Sequence, residues 1–129
     1  MLIEQKNVKD RIVDDEALNV ASVTSEEIRC HGYNQLTLFF NLSRSTLTKI
    51  EMKLQVYNAA EGVWGYRDAG KATHPYMDME PQIWRRTISA GDNWEWNIPI
   101  NCDRARIVIT PTGGAALDTL SVRARLGVI

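Results

Sequence analysis

Alternation of apolar and polar residues with a period of two is the feature that most narrows the folds open to this chain. Trp94, Trp96, Ile98 and Ile100 share one parity, with Glu95, Asn97 and Pro99 on the other. Ala105, Ile107 and Ile109 oppose Arg104, Arg106, Val108 and Thr110 in the same way. Leu120, Val122, Ala124 and Leu126 oppose Ser121, Arg123 and Arg125. Successive side chains of an extended strand point to opposite sides, so each run buries one face and wets the other. Eleven Ile, nine Val and nine Thr reinforce the reading, because β-branched side chains suit a pleated, half-buried surface.

Weaker alternation predicts strands over 11–23, 26–30, 35–43, 63–68 and 82–89. The segment 48–60 fits two patterns. Ile50, Met52, Leu54 and Val56 alternate as in a strand, whereas Leu47, Ile50, Leu54 and Tyr57 fit a helical stripe behind a Thr48–Glu51 capping box. The strand is favoured, because its neighbours all read as strands and Val56-Tyr57 prefers the extended state. Turn residues fall at Gly32, 43–45, 61–62, 91–93 and 111–118. The spacing predicts an all-β fold: a single β-sandwich or jelly roll of about eight to nine antiparallel strands over 11–129. Residues 1–10 carry Glu4, Lys6, Lys9 and Asp10 with little periodicity and read as an N-terminal arm. Residues 71–81, in which Pro75 and Pro81 bracket 76–80, read as a long irregular loop, a kind of segment that often carries function.

At 129 residues the chain has the size of one domain and can bury a core without disulfide or metal. Its formal net charge of −1 argues against nucleic-acid binding by bulk electrostatics. The N-terminus has no basic region followed by an apolar one, and no stretch approaches the roughly 18 apolar residues of a membrane span. Folding in a cytoplasm, away from membranes, is therefore expected. Cys30 and Cys102 form no Cys-x-x-Cys motif and read as two buried thiols. With His31 and His74 they match no zinc spacing, and Asp68, Asp78 and Glu80 match no calcium loop. No Gly-x-Ser-x-Gly motif or catalytic cysteine context is present, and Gly113-Gly114 reads as a turn between strands instead of a phosphate cradle. No catalytic motif survives inspection, and neither a cofactor nor a metal is expected.

The near-neutral total conceals an asymmetry. Residues 1–29 hold four basic and seven acidic groups, net −3, and residues 102–129 hold four Arg and two Asp, net +2. If 104–110 and 119–126 form a hairpin with their buried faces matched, paired numbers sum to 229. Arg106 then lies opposite Arg123, and Arg104 opposite Arg125. Four guanidinium groups on one sheet face call for anions. Asp14, Asp15 and Glu16 of the same chain could supply them, as could an acidic patch on a neighbouring subunit. Tryptophans raise a second possibility, a glycan-binding platform of Trp64, Tyr66 and Trp84, against which the parity of Trp94 and Trp96 favours core packing.

The run Leu36-Thr37-Leu38-Phe39-Phe40, then Ile50-Glu51-Met52-Lys53-Leu54-Gln55-Val56-Tyr57 and Gly62-Val63-Trp64, has a recognisable cadence. So has Arg104-Ala105-Arg106-Ile107-Val108-Ile109-Thr110-Pro111-Thr112-Gly113-Gly114, followed by Thr119-Leu120-Ser121-Val122. Together, over about residues 33–127, these segments resemble the small β-sandwich virion proteins of tailed bacteriophages, of the capsid decoration and auxiliary structural type. Residues 1–30 match nothing in that pattern. The resemblance implies a non-enzymatic homo-oligomer that binds the major capsid protein or another virion protein, assembled in the host cytoplasm and carried on the virion. Interfaces of that kind anchor through aromatic and arginine side chains, which makes Tyr76, Met77 and Arg86 candidates beside Arg104, Arg106, Arg123 and Arg125.

Overall fold

The structure, a computed structural model, describes residues 4–8, 10–67 and 81–129. Eleven strands and no helix occur among them: β1 (Glu4–Asn7), β2 (Val13–Ala17), β3 (Val23–Thr24), β4 (Ile28–Arg29), β5 (Gln35–Ser43), β6 (Lys49–Asn58), β7 (Val63–Tyr66), β8 (Ile83–Thr87), β9 (Asp92–Pro99), β10 (Arg104–Thr112) and β11 (Thr119–Val128). The ambiguous segment is strand β6. Ile50, Met52 and Leu54 are each fully buried and alternate with the half-buried Lys49, Glu51 and Lys53, a period of two throughout.

Eleven strands fill eight positions. β1 and β2 lie end to end along β11, β3 and β4 along β10, and β7 and β8 along β6. One sheet then runs β1/β2–β11–β5–β9 and the other β3/β4–β10–β6–β7/β8. Numbered along the chain, the positions read 1–8–3–6 in one sheet and 2–7–4–5 in the other. Consecutive positions fall in opposite sheets at every step except the fourth to the fifth, the order of a jelly roll. The expected sandwich of eight to nine strands is present, but the segments divide differently: 11–23 splits into β2 and β3 in opposite sheets, 63–68 and 82–89 share one position as β7 and β8, and β1 falls within the expected arm.

The expected hairpin of β10 and β11 does not form. β10 pairs with β6, setting Ile107 opposite Leu54 and Ile109 opposite Met52, while β11 pairs with β5, setting Val122 opposite Phe40. Both strands bury one parity, but they bury it from opposite sides of the core. Period two reports which face of a strand is buried and is silent on which sheet holds it. The core between the sheets includes Phe40, stacked on Trp94 at 4.9 Å between ring centroids and met edge-on by Trp96, also at 4.9 Å.

Two connections cross from sheet to sheet side by side: 44–48 from β5 to β6, and 113–118 from β10 to β11. Asp118 ties them together. Its carboxylate is fully buried and accepts hydrogen bonds from the backbone N–H groups of Ser45, Thr46 (3.0 Å), Leu47 (3.1 Å) and Ala115 (2.7 Å). Thr46 Oγ1 also donates to the Gly113 carbonyl at 2.8 Å, and the Leu18 N–H donates to the Asp118 carbonyl at 2.8 Å. Gly114 is required at the crossing, because a Cβ there would stand 1.9 Å from the Leu18 carbonyl oxygen. Burial acts to raise the Asp118 pKa, but the four backbone donors together outweigh it and hold the carboxyl far below the usual carboxylate range.

Asp118→Ala is expected to cost about 1–3 kcal/mol in equilibrium denaturation, since it leaves the buried Leu47 N–H without its acceptor, whereas water can reach Ser45 and Thr46. A depressed folded pKa stabilises the fold above the unfolded value of about 3.9 and withdraws that support as pH falls from there towards the folded pKa. Asp118→Asn keeps one acceptor oxygen, so its penalty should be smaller, and its stability should lose this part of the decline below about pH 4. Denaturation midpoints that are unchanged in both variants would contradict the role.

Candidate functional site

The outer face of the six-stranded sheet gathers arginine and aromatic side chains. Alternation along β6 and β10 turns Lys53, Gln55, Tyr57, Arg104 and Arg106 outward, opposite the buried Leu54, Ala105 and Ile107. The β6–β7 register adds Trp64 opposite Tyr57 and Tyr66 opposite Gln55. Arg104 sits 3.9 Å above the Tyr57 ring centroid, and Arg106 sits 4.3 Å above that of Trp64. The Arg106 Nε–H donates to Gln55 Oε1 at 2.7 Å. Arg104 forms a two-pronged pair with Glu27, donating from Nη2 to Oε2 at 2.9 Å and from Nε to Oε1. That pairing holds the Glu27 carboxyl below its ordinary range and pushes the Arg104 guanidinium up. Cation–π contacts at partly exposed sites contribute about 0.5–1 kcal/mol each, so these guanidiniums are held in place and still reach solvent.

Arg123 and Arg125 lie on the other outer face. They belong to β11 in the five-stranded sheet, so the four arginines form two pairs on opposite sides of the sandwich. Arg125 covers the Phe39 ring at 5.3 Å, and Arg123 is exposed without an ion pair among the described residues. The acidic residues expected to serve them do not. Asp14 and Asp15 approach Arg11 instead, at 3.0 and 3.7 Å. Glu27, which does serve Arg104, carries no signal in the sequence beyond an acid beside a short strand.

Arg86 is occupied internally, bonded to Asp92 and lying 4.6 Å over the Trp94 ring. Tyr76 and Met77 lie outside the described residues, as do His74, Asp68, Asp78, Glu80 and all of 71–81 except Pro81. Trp64, Tyr66 and Trp84 do not share one platform. Trp84 pairs opposite Met52 and packs against the core, while Trp64 faces outward under the arginines.

The two cysteines, remote in sequence, come together where β4 meets the start of β10, and both are free thiols. Cys30 is fully buried and its N–H donates to the Asp103 carbonyl at 2.7 Å. Cys102 is half-buried and opens on a cavity of about 360 Å³ that it shares with Arg67. The Cys30 thiol donates to the Ile28 carbonyl at 3.3 Å, and its closeness to Cys102, with burial, pushes Cys30 up, while the same neighbour and the Arg67 charge pull Cys102 down. Among the described residues no group of three or more His, Cys, Asp or Glu side chains could hold a metal ion.

No known protein family matches the chain, and no curated protein matches it. Among solved structures, the crystal structure of SPBc2 prophage-derived protein YomS is similar over 98% of this chain and 97% of that one, at 12% identity and a TM-score of 0.49.

Cys102 should therefore alkylate with iodoacetamide faster than Cys30 at neutral pH, with a rate that rises at lower pH than for a free thiol of pKa about 8.5. Cys30→Ala removes the neighbouring thiol that lowers Cys102 and should shift that rise upward. Equal labelling of both thiols, read by peptide mass spectrometry, would contradict the assignment.

Proposed function

We propose that this chain is a non-enzymatic structural protein of a tailed-phage virion, a capsid decoration or auxiliary protein that binds the particle surface as a homo-oligomer and stabilises it. The observation that carries this reading is the outer face of the six-stranded sheet. Arg, Trp and Tyr are the residue types that dominate binding energy at protein interfaces. Here Arg104, Arg106, Tyr57 and Trp64 form one preassembled cluster, so little side-chain entropy remains to be lost on docking. The same face carries Arg29, Lys49, Lys53, Arg85, Arg104 and Arg106 against Glu27 and Glu51, six positive and two negative charges. An acidic partner surface complements it, and binding to such a surface weakens with salt.

Two further points support the reading. Cadence in 33–127 resembles virion proteins of this type, and the jelly roll is an architecture that viral capsid domains use widely. Fold alone does not assign function, so the surface cluster bears most of the weight.

Virions purified from the phage that encodes this chain should contain it at a fixed stoichiometry to the major capsid protein, read by quantitative mass spectrometry. Absence from particles would end the proposal. Recombinant protein added to particles lacking it should bind, with Trp64→Ala weakening affinity about 30-fold, the equivalent of a 2 kcal/mol anchor. Arg106→Glu should weaken it further and flatten its salt dependence. Full binding by both variants would remove this face from the interface.

A further inference from the structure

We infer that the outer face of the five-stranded sheet holds a saccharide-binding site, separate from the arginine–aromatic cluster and independent of the virion reading. A cavity of about 440 Å³ opens there, within the range of about 300–1,000 Å³ common for small-ligand sites. Two rows of three side chains form its floor. Register sets Asn41 between Ser121 and Asn93, and Phe39 between Arg123 and Glu95. Strands lie about 4.8 Å apart and same-face residues about 6.8 Å apart along a strand, so the floor measures roughly 10 by 7 Å, the footprint of one or two pyranose rings.

The chemistry of the floor selects the ligand. Phe39 stands half-buried at the centre with the Arg125 guanidinium 5.3 Å from its ring centroid, so a sugar meets the part of the ring that Arg125 leaves open, beside a further donor. Around it stand donors and acceptors in near balance: the Arg123 guanidinium, the Glu95 carboxylate and the two amides of Asn41 and Asn93, each of which both donates and accepts. Hydroxyl groups that donate and accept by turns match that ring. A phosphate is poorly served, because Glu95 faces it, Arg11 at the rim is already paired with Asp14 at 3.0 Å and Asp15 at 3.7 Å, and Arg125 is stacked on the Phe39 ring at 5.3 Å. A cation is no better served, since Arg123 stands across the same row.

The rim is built rather than incidental. At β2 the register against β11 shifts, and Asp15 takes φ = 44°, a left-handed conformation uncommon for a non-glycine residue. Its N–H donates to Ser121 Oγ at 3.0 Å, Arg11 Nη1 donates to the same oxygen at 3.2 Å, and the hydroxyl donates back to Asp15 Oδ1 at 3.0 Å. One serine hydroxyl is thereby saturated, and the arginine wall is fixed. Bulges and left-handed non-glycine residues concentrate beside binding sites, where they aim a side chain.

The test is a ¹H–¹⁵N NMR titration of the full chain with glucose, galactose, N-acetylglucosamine, maltose and lactose, and separately with inorganic phosphate. At least one sugar should shift the Asn41 and Asn93 side-chain amides and the backbone signals of Ser121 and Arg123. Asn93→Ala and Arg123→Ala, each checked for an unchanged melting temperature, should weaken that sugar at least tenfold. Glu95→Gln, which retains an acceptor oxygen, should weaken it less than Glu95→Ala. No shift with any sugar, shifts that map to another face, or an equal response to phosphate would each overturn the assignment.

Discussion

A buried carboxylate stays charged only where enough donors converge on it, and Asp118 meets that requirement with the backbone of two separate connections. Its partners at 45–47 and 115 belong to the two segments that carry the chain across the core at one end of the sandwich. Without that carboxylate each of those N–H groups would need water or another acceptor, and the Leu47 N–H is buried where water does not reach. One side chain thus aligns β5 with β6 on one crossing and β10 with β11 on the other. The consequence extends to the surface. Because β10 and β11 are delivered to opposite sheets, Arg104 and Arg106 face one way and Arg123 and Arg125 the other.

That division gives the molecule two chemically different outer faces. On the six-stranded side, guanidiniums stacked on Tyr57 and Trp64 make a rigid, positively charged surface suited to a macromolecular partner. On the five-stranded side, Phe39 lies under Arg125 and among two amides, Glu95, Arg123 and the internally paired Arg11, in a shallow depression suited to a small polyhydroxylated ligand. Two faces of one jelly roll can serve two ligands without competition, because the intervening core couples them only through a close-packed interior.

Much of the fold was legible in the residues. Alternation in β9, β10 and β11 located those strands and their buried faces, and the parity of Trp94 and Trp96 placed both indoles against the core. The same alternation misled on pairing. Ile109 and Leu120 match as buried residues of a hairpin just as they match as residues facing each other across a core, and only the crossing at 113–118 separates the cases. Asp118 stood among several turn residues, and nothing in its neighbours marks it as the acceptor for a connection some seventy positions earlier. The meeting of Cys30 with Cys102, and of Glu27 with Arg104, was hidden for the same reason, since both depend on which strands become neighbours. The Phe39 depression depends on the register of three strands at once, which no single segment encodes.

The most direct test of this account is the strand partner of β10, read as cross-strand backbone NOEs in the full chain. Ile107 should connect to Leu54 and Ile109 to Met52. Backbone NOEs from Ile109 to Leu120 and from Ile107 to Val122 would restore the hairpin, return all four arginines to one face and contradict the division of the surface described above.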